Sequence, residues 1–269
     1  MTLSNPWFVL AITGILVLYH LELIATLLNM SALKAEVPAV LKATVSEEDH
    51  ERALEYARVS ARFDVMESSV SLGVFMAFWW LGGFPQLDGV IRSWHLGVIQ
   101  NGLMLIAGMM LLKTLMGLPF EVYRTFVIEK QFGFNKTTVG TFVMDRVKSL
   151  ALAILLGAPL LAVLLWLFDR FEMAALYGWL VVSGFSLVMA WLAPRLILPL
   201  FYKFQPLPDE SLRAAIMSLA EKLRFPVEEI SVVDGSRRST KANAFFSGFG
   251  KTKRIALFDT LINNHTQPE

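Results

Sequence analysis

"WFVLAITGILVLYHLELIATLLNM", residues 7–30, holds 24 residues with a single carboxylate, Glu22, and no Lys or Arg. About 20 predominantly apolar residues, wound as helix, span the hydrocarbon core of a bilayer. The stretch is not a secretory signal, because Met1 to Pro6 carries no Lys or Arg and the apolar run is too long. It reads as a retained membrane helix. Similar runs follow at 66–84, 98–118, 149–168 and 174–201.

The composition agrees. The chain is 55% apolar, 17% charged and has a mean hydropathy of +0.54, whereas a soluble domain is roughly 25% charged. The fold class is therefore mainly α, a multi-pass transmembrane helical protein whose partner is the lipid bilayer. A net charge of +1 gives no electrostatic case for nucleic acid. Cysteine is absent, which excludes disulfides, thiolate metal sites and a cysteine nucleophile.

Loop charge sets an expected orientation. Lys34, Lys42, Arg52, Arg58 and Arg62 lie between the first two runs, and Arg124, Lys130, Lys136, Arg146 and Lys148 between the third and fourth. The other two connections hold only Arg92 and Arg170. The positive-inside rule then puts loops 31–65 and 119–148 in the cytoplasm, the N-terminus outside, and everything after about Tyr202 in the cytoplasm. The first loop is itself expected to be helical. Ser46 and Asp49 resemble a capping box, and from Glu47 to Glu67 there is no Gly or Pro, so this helix should run into the second span.

Residues 204–269 are polar and of soluble character, which divides the chain into a membrane region, 1–203, and the start of a second domain. Asp209 to Arg224 carries Leu212, Ile216, Leu219 and Leu223 on one stripe and reads as helix, and Glu229 to Val233 as a short strand. Ala244-Phe245-Phe246 and Ile255-Ala256-Leu257-Phe258, separated by residues 248–253, read as a hairpin.

His20, Glu22, Asn101, Lys113 and Arg195 are polar groups in or beside apolar runs. Snorkelling accounts for those near helix ends, and a polar cavity is the other reading for His20 and Asn101. His20 and Glu22 are two apart and do not share a helix face. The four histidines, His20, His50, His95 and His265, show no ligand spacing, and there is no HExxH, phosphate loop or GxSxG elbow.

Two stretches resemble the type I CAAX prenyl endopeptidase family, the integral-membrane zinc metalloproteases. They are "LPFEVYRTFVIEKQFGFNKTT", residues 118–138, and "DGSRRSTKANAFFSGFGKTKRIALFDTL", residues 234–261. The resemblance implies seven membrane helices around a water-filled chamber in the intact protein, and a small cytoplasmic α+β metallopeptidase domain that begins at 204–269. It implies that Asn243, Ala244, Phe245 and Phe246 form an edge strand on which an extended peptide or protein substrate, including a prenylated one, is paired. Phe245 stands where many members have Tyr, so a hydroxyl is missing there. In the family a later helix bears HExxH and holds zinc. This chain has no such motif up to Glu269, so the expectation is an N-terminal fragment with zinc ligands beyond residue 269. No metal ligands or catalytic residues are assigned within it, and its partner would be its own missing C-terminal part. In the first motif, Pro119 is expected to end or kink the third helix and Gly133 and Asn135 to form a turn; Glu121, Tyr123, Arg124, Glu129 and Lys136 read either as a polar network near the cytoplasmic mouth of the chamber or as salt-bridging residues of a plain cytoplasmic loop. Expected localisation is the inner membrane of a prokaryote or the endoplasmic reticulum of a eukaryote. The rival readings are a non-catalytic membrane scaffold or pseudo-protease that binds peptides, and a transporter.

Overall fold

A computed structural model describes residues 5–33, 36–37, 45–248 and 253–266. Among the described residues four helices are long and apolar enough to cross a membrane: α1 (Pro6–Ala32), α4 (Val98–Gln131), α5 (Val139–Arg170) and α6 (Ala174–Phe201). Between α1 and α4 lie α2 (Glu47–Trp80) and α3 (Gly83–Arg92), bent by 62° at a short break; counted as one broken span, they make five. The outward faces of these helices expose Leu10, Leu155, Trp179 and Leu187. Such large apolar surfaces suit lipid, which is as apolar as the side chains themselves. The chain folds as two compact units, residues 1–89 with 111–128 and residues 90–110 with 129–269.

In the first unit, α1 is started by Asn5, whose Oδ1 accepts from the Trp7 and Phe8 amides at 3.0 and 3.4 Å, with Pro6 in the first turn. Ser46 caps α2 by accepting from the Asp49 amide at 3.0 Å, and its hydroxyl donates to the Asp49 carboxylate at 2.6 Å. The helix expected from Glu47 does run unbroken into the apolar stretch. It stops at Trp80, short of the expected end at 84, because Gly82 takes a positive φ of 76° that reverses the chain. Phe75, Phe78 and Trp79 then surround the Phe84 ring at 5.1–6.1 Å and fix the bend. Tyr19 and Ser69 join α1 to α2 through their hydroxyls at 2.7 Å.

In the second unit, α5 begins at Val139, ten residues before the apolar run does. Thr138 caps it, accepting from the Thr141 amide at 3.1 Å. Three of the long helices contain a π-helical turn, at Arg124–Ile128, Ala153–Gly157 and Ala193–Ile197. The α4 helix continues through Pro119 rather than ending there, and its π turn follows five residues later.

After α6 the chain builds a four-stranded sheet of order β1-β2-β4-β3, with β1 Phe204–Pro206, β2 Val227–Val233, β3 Ala244–Ser247 and β4 Lys253–Phe258. The central pair β2–β4 is parallel and both outer pairs are antiparallel. Period 2 sends Ile230, Val232, Ile255 and Leu257 to one face, where Leu207 and α7 (Glu210–Lys222) supply Leu212, Ile216 and Met217. Val233 and Ala256, on the other face, are buried as well. Asp209 caps α7 through the Leu212 and Ser211 amides at 3.0 and 2.9 Å, and these bonds, the Leu212 one foremost, hold its carboxyl below the ordinary value. A last short helix, α8 (Asp259–Asn264), follows β4.

Candidate functional site

β3 stands at the edge of the sheet. It pairs with β4 alone among the described residues, with Ala244 opposite Leu257, Phe245 opposite Ala256, Phe246 opposite Ile255 and Ser247 opposite Arg254. The Phe258 amide donates to the Asn243 carbonyl at 3.0 Å. In an antiparallel ladder bonded and non-bonded pairs alternate. Asn243, Phe245 and Ser247 therefore face β4, and Ala244 and Phe246 direct their N–H and C=O to the open side. The Ala244 N–H is occupied at 2.9 Å by the Asn243 side-chain oxygen, a local cap on the open side. Residues 249–252 of the expected turn lie outside the described residues.

The side chains split by face. Phe246, 67% exposed, meets Phe225 edge-on at 5.4 Å, and Lys253 lies over that same Phe225 ring at 3.9 Å. Phe245 points the other way, to Phe258 at 6.2 Å, and Phe258 in turn meets Tyr202 at 5.8 Å. Gly235 lies directly against the Phe258 ring, where a Cβ would overlap Cδ1. Gly235→Ala is therefore expected to push Phe258 and its partner Phe245 aside at a cost of about 1–3 kcal/mol, the usual penalty for overpacking. Thermal unfolding followed by intrinsic fluorescence checks this; an unchanged midpoint would mean the ring has room.

The approach to β3 is fastened to the end of α4. Gly133, at φ 75°, turns the chain out of that helix. The Phe134 carbonyl accepts from the Thr240 amide at 3.0 Å, the Lys136 amide donates to the Arg238 carbonyl at 2.9 Å, and Asn135 bridges Ser239 in antiparallel fashion. The Thr240 hydroxyl donates to the Gly133 carbonyl at 3.1 Å, and Lys241 pairs with Glu129 at 2.9 Å. The two stretches singled out in the sequence, 118–138 and 234–261, thus meet. Arg124 pairs with Asp64 and Glu67 and lies over Phe63 at 5.0 Å, while Glu129 goes to Lys241.

Among the described residues no three His, Asp or Glu side chains converge as a metal ion needs. The His20 ring is engaged with the Leu16 carbonyl at 2.7 Å and the His265 ring with that of Leu261 at 3.1 Å, each within its own helix turn. Asp259, near His265 in sequence, spends its carboxylate on the Ser236 amide and hydroxyl and on the Thr260 amide. These residues do not fit a zinc ion. What the arrangement can do is accept an extended chain along Ala244 and Phe246.

A multi-pass helical membrane protein that carries a small mixed sheet with an open edge defines the class. The chain belongs to the M48 peptidase family: residues 26–203 match its CAAX prenyl protease N-terminal region of five membrane helices, and residues 206–269 match peptidase family M48 itself. It is 38% identical over 251 residues to a probable CAAX prenyl protease 1 of Schizosaccharomyces pombe, covering 88% of this chain and 53% of that protein. To a CAAX prenyl protease 1 homolog of Arabidopsis thaliana it is 36% identical over 270 residues, covering 97% and 63%. The crystal structure of S. mikatae Ste24p superposes with a TM-score of 0.88 at 32% identity, over 98% of this chain and 64% of that one. The chain thus spans between about half and two thirds of the length of these relatives.

Proposed function

We propose that this chain is the membrane and substrate-edge portion of a membrane-embedded zinc metalloendopeptidase that cleaves membrane-associated proteins, including prenylated ones of CAAX type. Residues 1–203 form the membrane region, and residues 204–269 begin the peptidase domain. Asn243, Ala244, Phe245 and Phe246 are the substrate-binding residues. The observation that carries this reading is the open edge of β3 in a chain of the M48 family. A peptide laid along β3 gains main-chain hydrogen bonds at Ala244 and Phe246 that do not depend on its sequence. Phe246 and Phe225 offer an apolar shelf to the side chains on one face, and Phe245 flanks the other. Membership of the M48 family supports zinc as the metal of the intact enzyme, and the described residues offer no convergent ligand set for it. The deciding test is binding of a labelled extended peptide to the chain in nanodiscs, with the outward Ala244 donor present and removed.

The same reading places the N-terminus outside and the sheet in the cytoplasm, in keeping with the ten basic residues of the two long connections against two in the others. The chain lacks cysteine, so single cysteines report cleanly. An impermeant maleimide applied to intact cells should label cysteines at Ser93 and Glu172 and spare one at Lys130. Labelling of Lys130 from outside reverses the orientation.

A further inference from the structure

α5 carries two polar side chains three residues apart, Asp145 and Lys148, which fall on one helical face. Asp145 reaches the segment that leads into β3, and Lys148 reaches the end of α6, just before β1. Lys148 Nζ donates to the Leu200 carbonyl at 2.7 Å, four residues before β1 begins, and lies over the Phe201 ring at 5.8 Å. Asp145 takes Arg238 in a two-pronged bond, Nε to Oδ2 at 2.9 Å and Nη2 to Oδ1 at 3.0 Å, with only 15% of the arginine and 24% of the aspartate side chain exposed. The third guanidinium nitrogen, Nη1, is buried with no hydrogen-bond partner among the described residues, and Asp145 holds the arginine's pKa above its already high ordinary value. From Arg238 the contacts run on to the edge strand: its guanidinium covers Tyr202 at 4.6 Å, Tyr202 meets Phe258, and Phe258 meets Phe245.

A bidentate pair between parts of the chain 93 residues apart, most of it out of water, is a poor source of net stability but a strong source of geometry. Both prongs are satisfied in one relative placement of helix and sheet. Asp145 sits six residues into α5, about 9 Å along its axis at the usual rise. The height of β3 above the end of a membrane helix is thereby fixed.

We infer that Asp145 and Arg238, assisted by Lys148, are positioning residues that hold the β3 edge at a set distance from the bilayer and so make the protein measure the spacer between a peptide's membrane anchor and the residues paired on β3. This rests on the strand-addition reading above. An extended peptide advances about 3.3 Å per residue, so two residues too few or too many misplace it by about 7 Å. Tethering helps binding only where linker and span match. A fixed edge therefore gives a sharp optimum of spacer length, and a loosened edge a broad one.

The experiment uses the chain in nanodiscs with fluorescent peptides ending in a farnesylated cysteine, their spacers lengthened one residue at a time, and the same peptides without the lipid. Wild-type protein is expected to bind one spacer best, with affinity about tenfold lower two residues to either side. Asp145→Asn and Arg238→Lys should flatten that contrast to about twofold while leaving the unanchored peptide's affinity unchanged. Spin labels on cysteines at Val143 and Ser247 should report a broadened distance distribution in both variants. A profile as sharp in the variants as in wild type overturns the inference, and so does parallel loss of anchored and unanchored binding, which marks the pair as merely structural. A flat wild-type profile with unanchored binding intact overturns the ruler and leaves strand addition standing. Absence of all peptide binding to β3 removes the underlying reading, and the ruler with it.

Discussion

Ala244→Pro is expected to weaken peptide capture severely while leaving the sheet folded. The Ala244 N–H points away from β4, so the ring removes a donor from the open side and none from the ladder. One lost main-chain bond costs a bound peptide about 1 kcal/mol, and displacement of the neighbouring Phe246 donor costs more. Together these lower affinity, and cleavage in the intact enzyme, by about one to two orders of magnitude. Phe245→Pro makes the contrast. The Phe245 N–H faces β4 opposite Ala256, so proline there breaks the ladder and should lower the unfolding temperature as well as binding. The measurements are peptide titration in nanodiscs and thermal unfolding of both variants. If Ala244→Pro binds as wild type does, Asn243 to Phe246 do not hold the substrate.

The open edge also needs protection when no substrate is present, because an unpaired strand invites other chains. Asn243 provides some: its side-chain oxygen occupies the Ala244 amide. β3 is only four residues long, which limits unwanted pairing further.

How much of this was legible depended on range. The membrane helices follow from runs of apolar residues, a signal that needs no knowledge of distant contacts. The continuity of α2 followed from good helix formers and the Ser46 cap, and the pairing of β3 with β4 from two apolar runs around a glycine-rich turn. The start of α5 lies earlier than the apolar run because Asp145, Arg146 and Lys148 interrupt that run and resemble a loop; Asp145 and Lys148 are helical residues that bond Arg238 and the end of α6. The clasp between residues 129–138 and 236–241 was illegible for another reason. Thr240, Arg238 and Lys241 find their partners about a hundred residues away, and one sequence carries no spacing signal for that. β1, three residues long and ending in Pro206, fell below any periodicity. The edge position of β3 came from family resemblance, since a hairpin strand by itself is as readily an internal one.

Zinc should be absent from the purified 269-residue chain, well below one ion per chain after mild dialysis, and the chain alone should cleave no peptide. A catalytic zinc takes three converging protein ligands and one open position. His265 follows β4 after one short helix, with Nδ1 already engaged by the Leu261 carbonyl, and the Asp259 carboxylate is committed to Ser236 and Thr260. His20 and His50 belong to α1 and α2, and His95 lies in the turn between α3 and α4, so none of them completes a set with His265. Thr260 is buried and donates to the Lys241 carbonyl at 3.0 Å, which ties the start of this last short helix to the approach of the edge strand. Metal analysis and a chelator-controlled cleavage assay, with and without co-expression of a C-terminal peptidase segment bearing HExxH, separate the possibilities. Activity restored only by co-expression supports a chain that supplies the edge and borrows the metal. Tight stoichiometric zinc with chelator-sensitive cleavage by this chain alone would overturn that division, and it would require ligands from parts of the molecule that the described side chains do not bring together.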